Sequence, residues 1–393
     1  MRLRTTATAL LACTATLLVA PPAATAASAA DQVRDRQWHH RFLNTAAAHR
    51  ISQGEGVTVA VIDSGVDPHR DLRNNLLRGT DVVKGGTGDG RADTNGHGTA
   101  MASLIAAHGR GASGVLGLAP RARVLPVRCE VSRSDNGADE LAKGIRWAIA
   151  RNAKVISISW GGSSSVELLE AVNEAEAADV VIIAAAGNKP EDSIGVIYPA
   201  AFRGVVAVTA TDRSGEAASV SVKGREVILS APGTDILSAG IENGYRRGTG
   251  TSPATAIVAG AAALVRSKYP ELSAKEVIHR LTATAIDKGP KGRDDQYGYG
   301  VLNLVGALTA TVPPLDGAQP SASTSAASPR SPSTAAAQPG SSAAPGQAGG
   351  RETGSGSSLG IVVTIGAIAI VGLLAAAFVA MVHRRRRHTN GIP

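Results

Sequence analysis

The sequence predicts an α/β domain built on a mainly parallel sheet covered by helices in three layers, with a membrane-crossing helix near the C-terminus. Two observations carry this. Five short, nearly continuous apolar runs at 57–62, 123–128, 154–159, 180–184 and 205–209 alternate with helical patterns at 97–107, 139–151, 166–177, 253–267 and 274–285. Strands that are apolar throughout are those buried on both faces, as in parallel sheets wound with helices. Separately, residues 359–382 carry no charge, and at 1.5 Å rise per residue such a run spans a ~30 Å hydrocarbon core.

In chain order, the first element is a secretory signal over residues 1–26. Arg2 and Arg4 form a basic start, an apolar run follows, and Ala24-Thr25-Ala26 offers a small-residue cleavage site. Cys13 falls inside it, so the exported chain keeps Cys129 alone and forms no internal disulfide. Residues 27–53 are an N-terminal extension below the ~40 residues at which small domains need extra staples, so it is not an independent folding unit. Its Trp38, Phe42 and Leu43 are expected to pack along the domain that follows.

That domain covers 54–312, and residues 313–358 then collapse to Pro, Ala, Ser and Gly with almost no large apolar side chain. Such a segment buries too little to offset chain entropy and reads as a disordered stalk. The span at 359–382 follows, and Arg384 to Arg387 begin a basic tail over 383–393. By the positive-inside rule the tail is cytoplasmic and everything before Leu359 lies outside. Removing the six arginines at the two ends from the formal net charge of +8 leaves +2. The domain therefore lacks the basic face that a nucleic-acid partner requires.

Sites in wound parallel sheets lie beyond the carboxyl ends of the strands. Asp63 follows the first strand in Ile62-Asp63-Ser64-Gly65, His97 opens a helix in Asn95-Gly96-His97-Gly98-Thr99, and Ser252 opens another in Gly248-Thr249-Gly250-Thr251-Ser252-Pro253. A serine hydroxyl needs a base to take its proton, and an imidazole needs a carboxylate to hold its tautomer. Alone, each residue reads equally as a turn, a core histidine or a helix cap. Their flanking motifs decide between the readings.

These motifs resemble those of the subtilisin-like serine proteases. Val59-Ala60-Val61-Ile62-Asp63-Ser64-Gly65-Val66 is similar to the aspartate motif, Asn95-Gly96-His97-Gly98-Thr99 to the histidine motif and Gly250-Thr251-Ser252 to the serine motif. Ala186-Gly187-Asn188, Tyr198-Pro199-Ala200 and Ala231-Pro232-Gly233 extend the likeness. The resemblance implies catalysis by Asp63, His97 and Ser252 in the chain order of subtilisin. It also implies an oxyanion-binding Asn188, and substrate contacts from Ser159, Trp160, Gly161, Ala186 and Gly187. Where the family has Met-Ala-x-Pro after the serine, this chain has Pro253-Ala254-Thr255-Ala256, and a proline biases the preceding residue away from helical backbone.

Signal, short extension, domain, stalk and anchor together resemble the mycosins, membrane-held proteases of type VII secretion. This implies a polypeptide substrate, an extracytoplasmic domain and an association with the secretion membrane complex. Two alternatives stay open: a structural subunit whose cleavage is dispensable, and a general surface subtilase. An esterase of the α/β-hydrolase type is disfavoured, because Ser252 is not in a Gly-x-Ser-x-Gly elbow. No cofactor and no metal are expected, since acidic loops such as 89–93 carry no diagnostic ligand spacing and read as solvated turns.

Overall fold

Alternate residues of each strand turn to opposite faces, and both faces are apolar, so the sheet must be covered twice. In β1 (Thr58–Asp63), Val59 and Val61 join one buried cluster while Ala60 and Ile62 join the other. The same division recurs in β3 (Arg123–Arg128), β4 (Val155–Ile158), β5 (Val181–Ala185) and β6 (Val206–Thr211), with Val124, Val155, Ile183 and Val208 on the first face. Leu125, Ile156, Ile182 and Ala207 lie on the second. The computed structural model describes residues 31–110, 113–129, 137–190 and 195–315. The signal, the membrane span, the basic tail and all but the start of the stalk lie outside the described residues.

Adding β2 (Thr80–Asp81) and β7 (Val227–Pro232) gives a seven-stranded sheet in the order β2-β3-β1-β4-β5-β6-β7, with each neighbouring pair parallel. The first face is covered by α4 (His97–Ala106) and α7 (Thr251–Lys268), the second by α5 (Gly137–Ala150) and α6 (Val166–Ala177). Helix α7 is apolar all round because it is buried all round: every residue from Thr251 to Arg266 is buried. It ends in Tyr269, and α8 (Ala274–Ala283) restarts behind a capping box in which Ser273 and Glu276 bond each other's backbone N–H. No helix among the described residues is long and apolar enough to cross a membrane.

Five features depart from the periodicity reading. β2 is two residues long, and β7 runs into Pro232. β8 (Ile236–Ala239) and β9 (Tyr245–Gly248) form a separate antiparallel hairpin whose second strand, Tyr-Arg-Arg-Gly, is surface-exposed and lacks apolar alternation. The N-terminal extension folds into three five-residue helices, α1 (Asp31–Asp35), α2 (Trp38–Phe42) and α3 (Thr45–His49). These are too short to persist without tertiary contacts. A short α9 (Leu304–Thr309) closes the domain behind the Asn303 cap.

Those tertiary contacts are extensive. Buried Gln37 accepts from the Leu116 N–H at 2.9 Å and donates to the Leu116 carbonyl at 3.1 Å, completing a strand-like pair with one side chain. The Trp38 indole N–H donates to the Thr234 carbonyl at 3.1 Å, and Leu43 enters the first core cluster, whereas Phe42 stays at the rim at 36% exposed. His39 is fully buried, with neither ring nitrogen bonded, and its ring lies 4.4 Å from that of His40. Burial, and then the neighbouring His40, hold the His39 imidazole well below its ordinary range. Burial likewise pushes His40 down to about 3, against the bond to the Leu116 carbonyl.

This seam predicts acid lability with a definite sign. The unfolded chain protonates both histidines near 6.5, while the folded chain keeps them neutral, so stability is full above that pH and declines as pH falls below it. Each such histidine contributes a slope of about 1.4 kcal/mol per pH unit. Denaturant unfolding between pH 7.5 and 5 should show the decline, and His39→Leu should make it shallower. An unchanged slope in the variant would show that His39 takes up protons in the folded state.

Candidate functional site

The carboxyl ends of β1, β3, β4 and β5 open on one edge of the sheet, and the predicted residues meet there. Asp63 terminates β1 with its carboxylate buried, accepting from the Ser64 N–H at 2.8 Å. Its two oxygens receive His97 Nδ1–H at 2.8 and 3.0 Å. The chain turns sharply after it because Gly65 adopts φ +103°, where a Cβ would lie 2.0 Å from the Ala92 carbonyl oxygen.

His97 is the first residue of α4, and what aims it is Asp93. One Asp93 oxygen accepts from the Asn95 N–H (3.1 Å), the Gly96 N–H (2.9 Å) and the Ser64 hydroxyl (2.9 Å). The other accepts from the Thr99 N–H (2.9 Å) and its hydroxyl (2.6 Å). The Ser64 hydroxyl in turn accepts from the Gly98 N–H at 3.0 Å, joining the exit of β1 to the first turn of α4. Asp93 is thus a buried acceptor for the orphan donors of a helix start, not the solvated turn its acidic loop suggests. Burial pushes the His97 imidazole down, while the Asp63 charge and hydrogen bond push it up and prevail, leaving it above its ordinary range.

Ser252 is the second residue of α7, with Pro253 third. Helical backbone at Ser252 overrides the bias of the following proline, because a first-turn residue needs no intrahelical N–H bond and the helix is held on all sides. The Ser252 hydroxyl donates to the Ser159 carbonyl at 3.2 Å, and the Ser159 hydroxyl donates to the Ser252 carbonyl at 3.2 Å. His97 and Ser252 line the same cavity. Backbone N–H groups of this helix start lack intrahelical acceptors and face developing negative charge favourably.

Asn188 is oriented by the residue before the serine. Its Oδ1 accepts from the Thr251 N–H at 2.9 Å and the Thr251 hydroxyl at 3.2 Å, which makes the amide NH2 the donating end. The Gly187 N–H also donates to the Thr251 hydroxyl, at 3.3 Å.

A cavity of about 180 Å³ beside Ser252 is lined by Ser159, Trp160, Gly161, Gly187 and Asn188. Ala186, expected to contact substrate, is fully buried and does not line the cavity, while Ala185 does. Gly161 has no room for a side chain, since a Cβ would lie 2.1 Å from the Tyr198 carbonyl oxygen. A second cavity of about 260 Å³ lies across Ser252 and is lined by Met101, Ser238, Gly248, Pro253 and Arg246. A third, of about 500 Å³, adjoins His97 and reaches Arg128 and Cys129. Burial first, then Glu140, pushes the Cys129 thiol up, so it stays protonated and does not compete as a nucleophile. Among the described residues no group of three or more His, Cys, Asp or Glu is placed to hold a metal ion.

Sequence reasoning singled out Asp63, His97, Ser252 and Asn188, and the structure brings them to one place. It passed over Ser64 and Thr251, which lie inside the quoted motifs, and Asp93, whose signal is the Asx-turn spacing to Asn95. Arg246 had no local signal.

The model of the subtilase family matches residues 54–300. A thermostable alkaline protease of Halalkalibacterium halodurans is 39% identical over 268 residues, covering 68% of this chain and 72% of its own. Subtilisin Savinase of Lederbergia lenta is 38% identical, over 69% of this chain and 97% of its own. Among solved structures, MycP1 from Mycobacterium smegmatis aligns with a TM-score of 0.63 at 30% identity, covering 72% of this chain and 86% of its own. The MycP3 protease from the type VII (ESX-3) secretion system aligns with a TM-score of 0.62 at 33% identity, over 70% and 88%.

The Asp93 network yields a stability prediction. Asp93→Asn keeps the shape but replaces one acceptor oxygen with a donor, leaving buried N–H groups at the start of α4 unpaired. A loss of about 1–3 kcal/mol in denaturant unfolding is expected. A variant as stable as the parent would show that the loop re-pairs without this carboxylate.

Proposed function

Because the chain belongs to the subtilase family of serine endopeptidases, we propose that Asp63, His97 and Ser252 are its catalytic triad and Asn188 its oxyanion donor. The observation that carries the reading is the Asp63–His97 bond at 2.8 Å beside a serine at a helix start, with Asn188 locked to the residue before it. His97 takes the Ser252 proton as the hydroxyl attacks the scissile carbonyl. Asp63 stabilises the imidazolium that results. The tetrahedral oxyanion is held by the Ser252 N–H and the Asn188 amide. His97 then passes its proton to the leaving amine, and water, activated by the same imidazole, hydrolyses the acyl-enzyme.

The substrate's acyl half lies extended along Ser159, Trp160 and Gly161 and pairs through main-chain bonds. The cavity there contributes no formal charge apart from His97, which favours an uncharged side chain before the scissile bond.

The proposed organisation is a signal (1–26), a retained extension (27–53), the catalytic domain (54–312), a stalk (313–358), a membrane span (359–382) and a cytoplasmic tail (383–393). The likeness to MycP1 and MycP3 supports a role beside a type VII secretion membrane complex.

Two experiments test this reading. A serine-reactive phosphonate should label the parent chain and not Ser252→Ala, whose fold survives because only a hydroxyl is lost. Asn188→Ala should lower kcat by the roughly 10²–10³-fold that loss of one such donor costs in subtilisin, with KM little changed. Labelling of Ser252→Ala would reject the nucleophile. Complementation by that variant would instead favour a structural role for the assembled protein.

For topology, protease added outside intact cells should sever the stalk and release the domain while the Arg384–Arg387 tail stays protected. Digestion of the tail from outside would reverse the orientation.

A further inference from the structure

Arg246 lines the cavity across Ser252 from the Ser159–Gly161 edge as well as the larger one beside His97, and among the described residues no carboxylate pairs with it. Its Nη1 donates to the Asn95 carbonyl at 3.1 Å, two residues before His97. Nearby cations are paired: Arg247 and Arg213 share Asp235 at 2.7 and 2.6 Å, and Arg128 holds Asp81 at 2.6 Å. Among the described residues Arg246 has no such partner. Its remaining guanidinium donors are left for a ligand with planar acceptor geometry.

The arginine is also held in position. The Tyr245 hydroxyl donates to fully buried Asp71 at 2.9 Å, and the Ser238 hydroxyl donates to the Arg246 carbonyl at 3.4 Å. The β8–β9 hairpin therefore presents Arg246 from a braced backbone, which lowers the ordering cost of a new ion pair.

The cavity has two ends with different chemistry. Met101, Gly248 and Pro253 make its wall apolar, and Arg246 is its fixed charge beside His97. With the acyl half of the substrate on the Ser159–Gly161 side, the cavity walled by Gly248 and Pro253 on the other side of Ser252 is the one left for the leaving half.

We propose that Arg246 selects substrates carrying an acidic side chain immediately after the scissile bond. The inference rests on the serine-protease reading for which side of the cleft is which. A glutamate or aspartate there meets the guanidinium, and a lysine meets like charge. Arg246 also pushes the His97 imidazole down, so a carboxylate bound against it relieves that effect and strengthens the base. Arg246 is exposed, so the preference is screened by salt.

The test uses the full chain in detergent and three decapeptides identical except for Glu, Ala or Lys after the scissile bond. Their dissociation constants are read by competition on Ser252→Ala, which needs no turnover. At low salt Glu should bind roughly five- to tenfold more tightly than Lys, as expected for a partly exposed ion pair and its like-charge counterpart. Raising salt to about 0.5 M should narrow the gap. Arg246→Gln in the same background should collapse the ratio, Arg246→Glu should reverse it, and Arg247→Gln should leave its sign unchanged. Equal binding of Glu and Lys peptides, a preference that survives Arg246→Gln, or one that Arg247→Gln abolishes overturns the proposal. Cleavage of the Ala peptide by the parent chain is scored separately, so a failure of the protease reading is recognised independently of the binding ratio.

Discussion

Seven strands running in one direction leave their carboxyl ends along one edge of the sheet, and the chemistry of the molecule follows from that constraint. Parallel strands require crossovers, and these crossovers are the helices that bury the two faces. The loops between strand ends and helix starts then meet at the same edge, bringing orphan N–H groups and positive dipole ends with them. Asp63 leaves a strand there, while His97 and Ser252 begin helices there. The buried Asp63 carboxylate is satisfied because the Ser64 N–H and the imidazole both donate to it. An unpaired carboxylate at that depth would be costly.

Helix α7 shows how packing and catalysis depend on one another. Its small and apolar side chains allow it to lie against the sheet with nearly its whole length buried, which fixes where its N-terminus ends. Thr251 and Ser252 at that terminus serve different groups: Thr251 holds Asn188, and Ser252 faces the cleft. Because both sit in one turn of a buried helix, the hold on Asn188 and the placement of Ser252 are set by the same stretch of backbone.

Much of this is legible in the sequence. The buried strands announce themselves by continuous apolar runs, and α6 occurs where the pattern placed it, at Val166–Ala177. Asp63, His97, Ser252 and Asn188 were found because each sits in a short motif whose spacing is local. Asp93 has only the weak local signal of an Asx turn to Asn95; the bond from the Ser64 hydroxyl, which ties it to the exit of β1, is not encoded locally. Arg246 escaped for the same reason, since it reaches the site from a hairpin whose exposed strand has no apolar period. The five-residue helices of the extension were invisible because their stability is entirely tertiary.

The extension also bears on how a domain with one buried, unpaired cysteine stays together at its margin. A disulfide would restrict the unfolded chain, whereas this seam acts on the folded one. Gln37 uses both ends of its amide on Leu116, Trp38 hydrogen-bonds the loop before β8, and the same loop carries Asp235, which pairs Arg213 with Arg247. The extension therefore braces the base of the hairpin from which Arg246 enters the cleft. Loss of the extension would bear on that hairpin directly, because β8 and β9 form a two-stranded sheet of their own while β1 to β7 are held in one ladder. The placement of Arg246 then depends on a segment far from it in sequence.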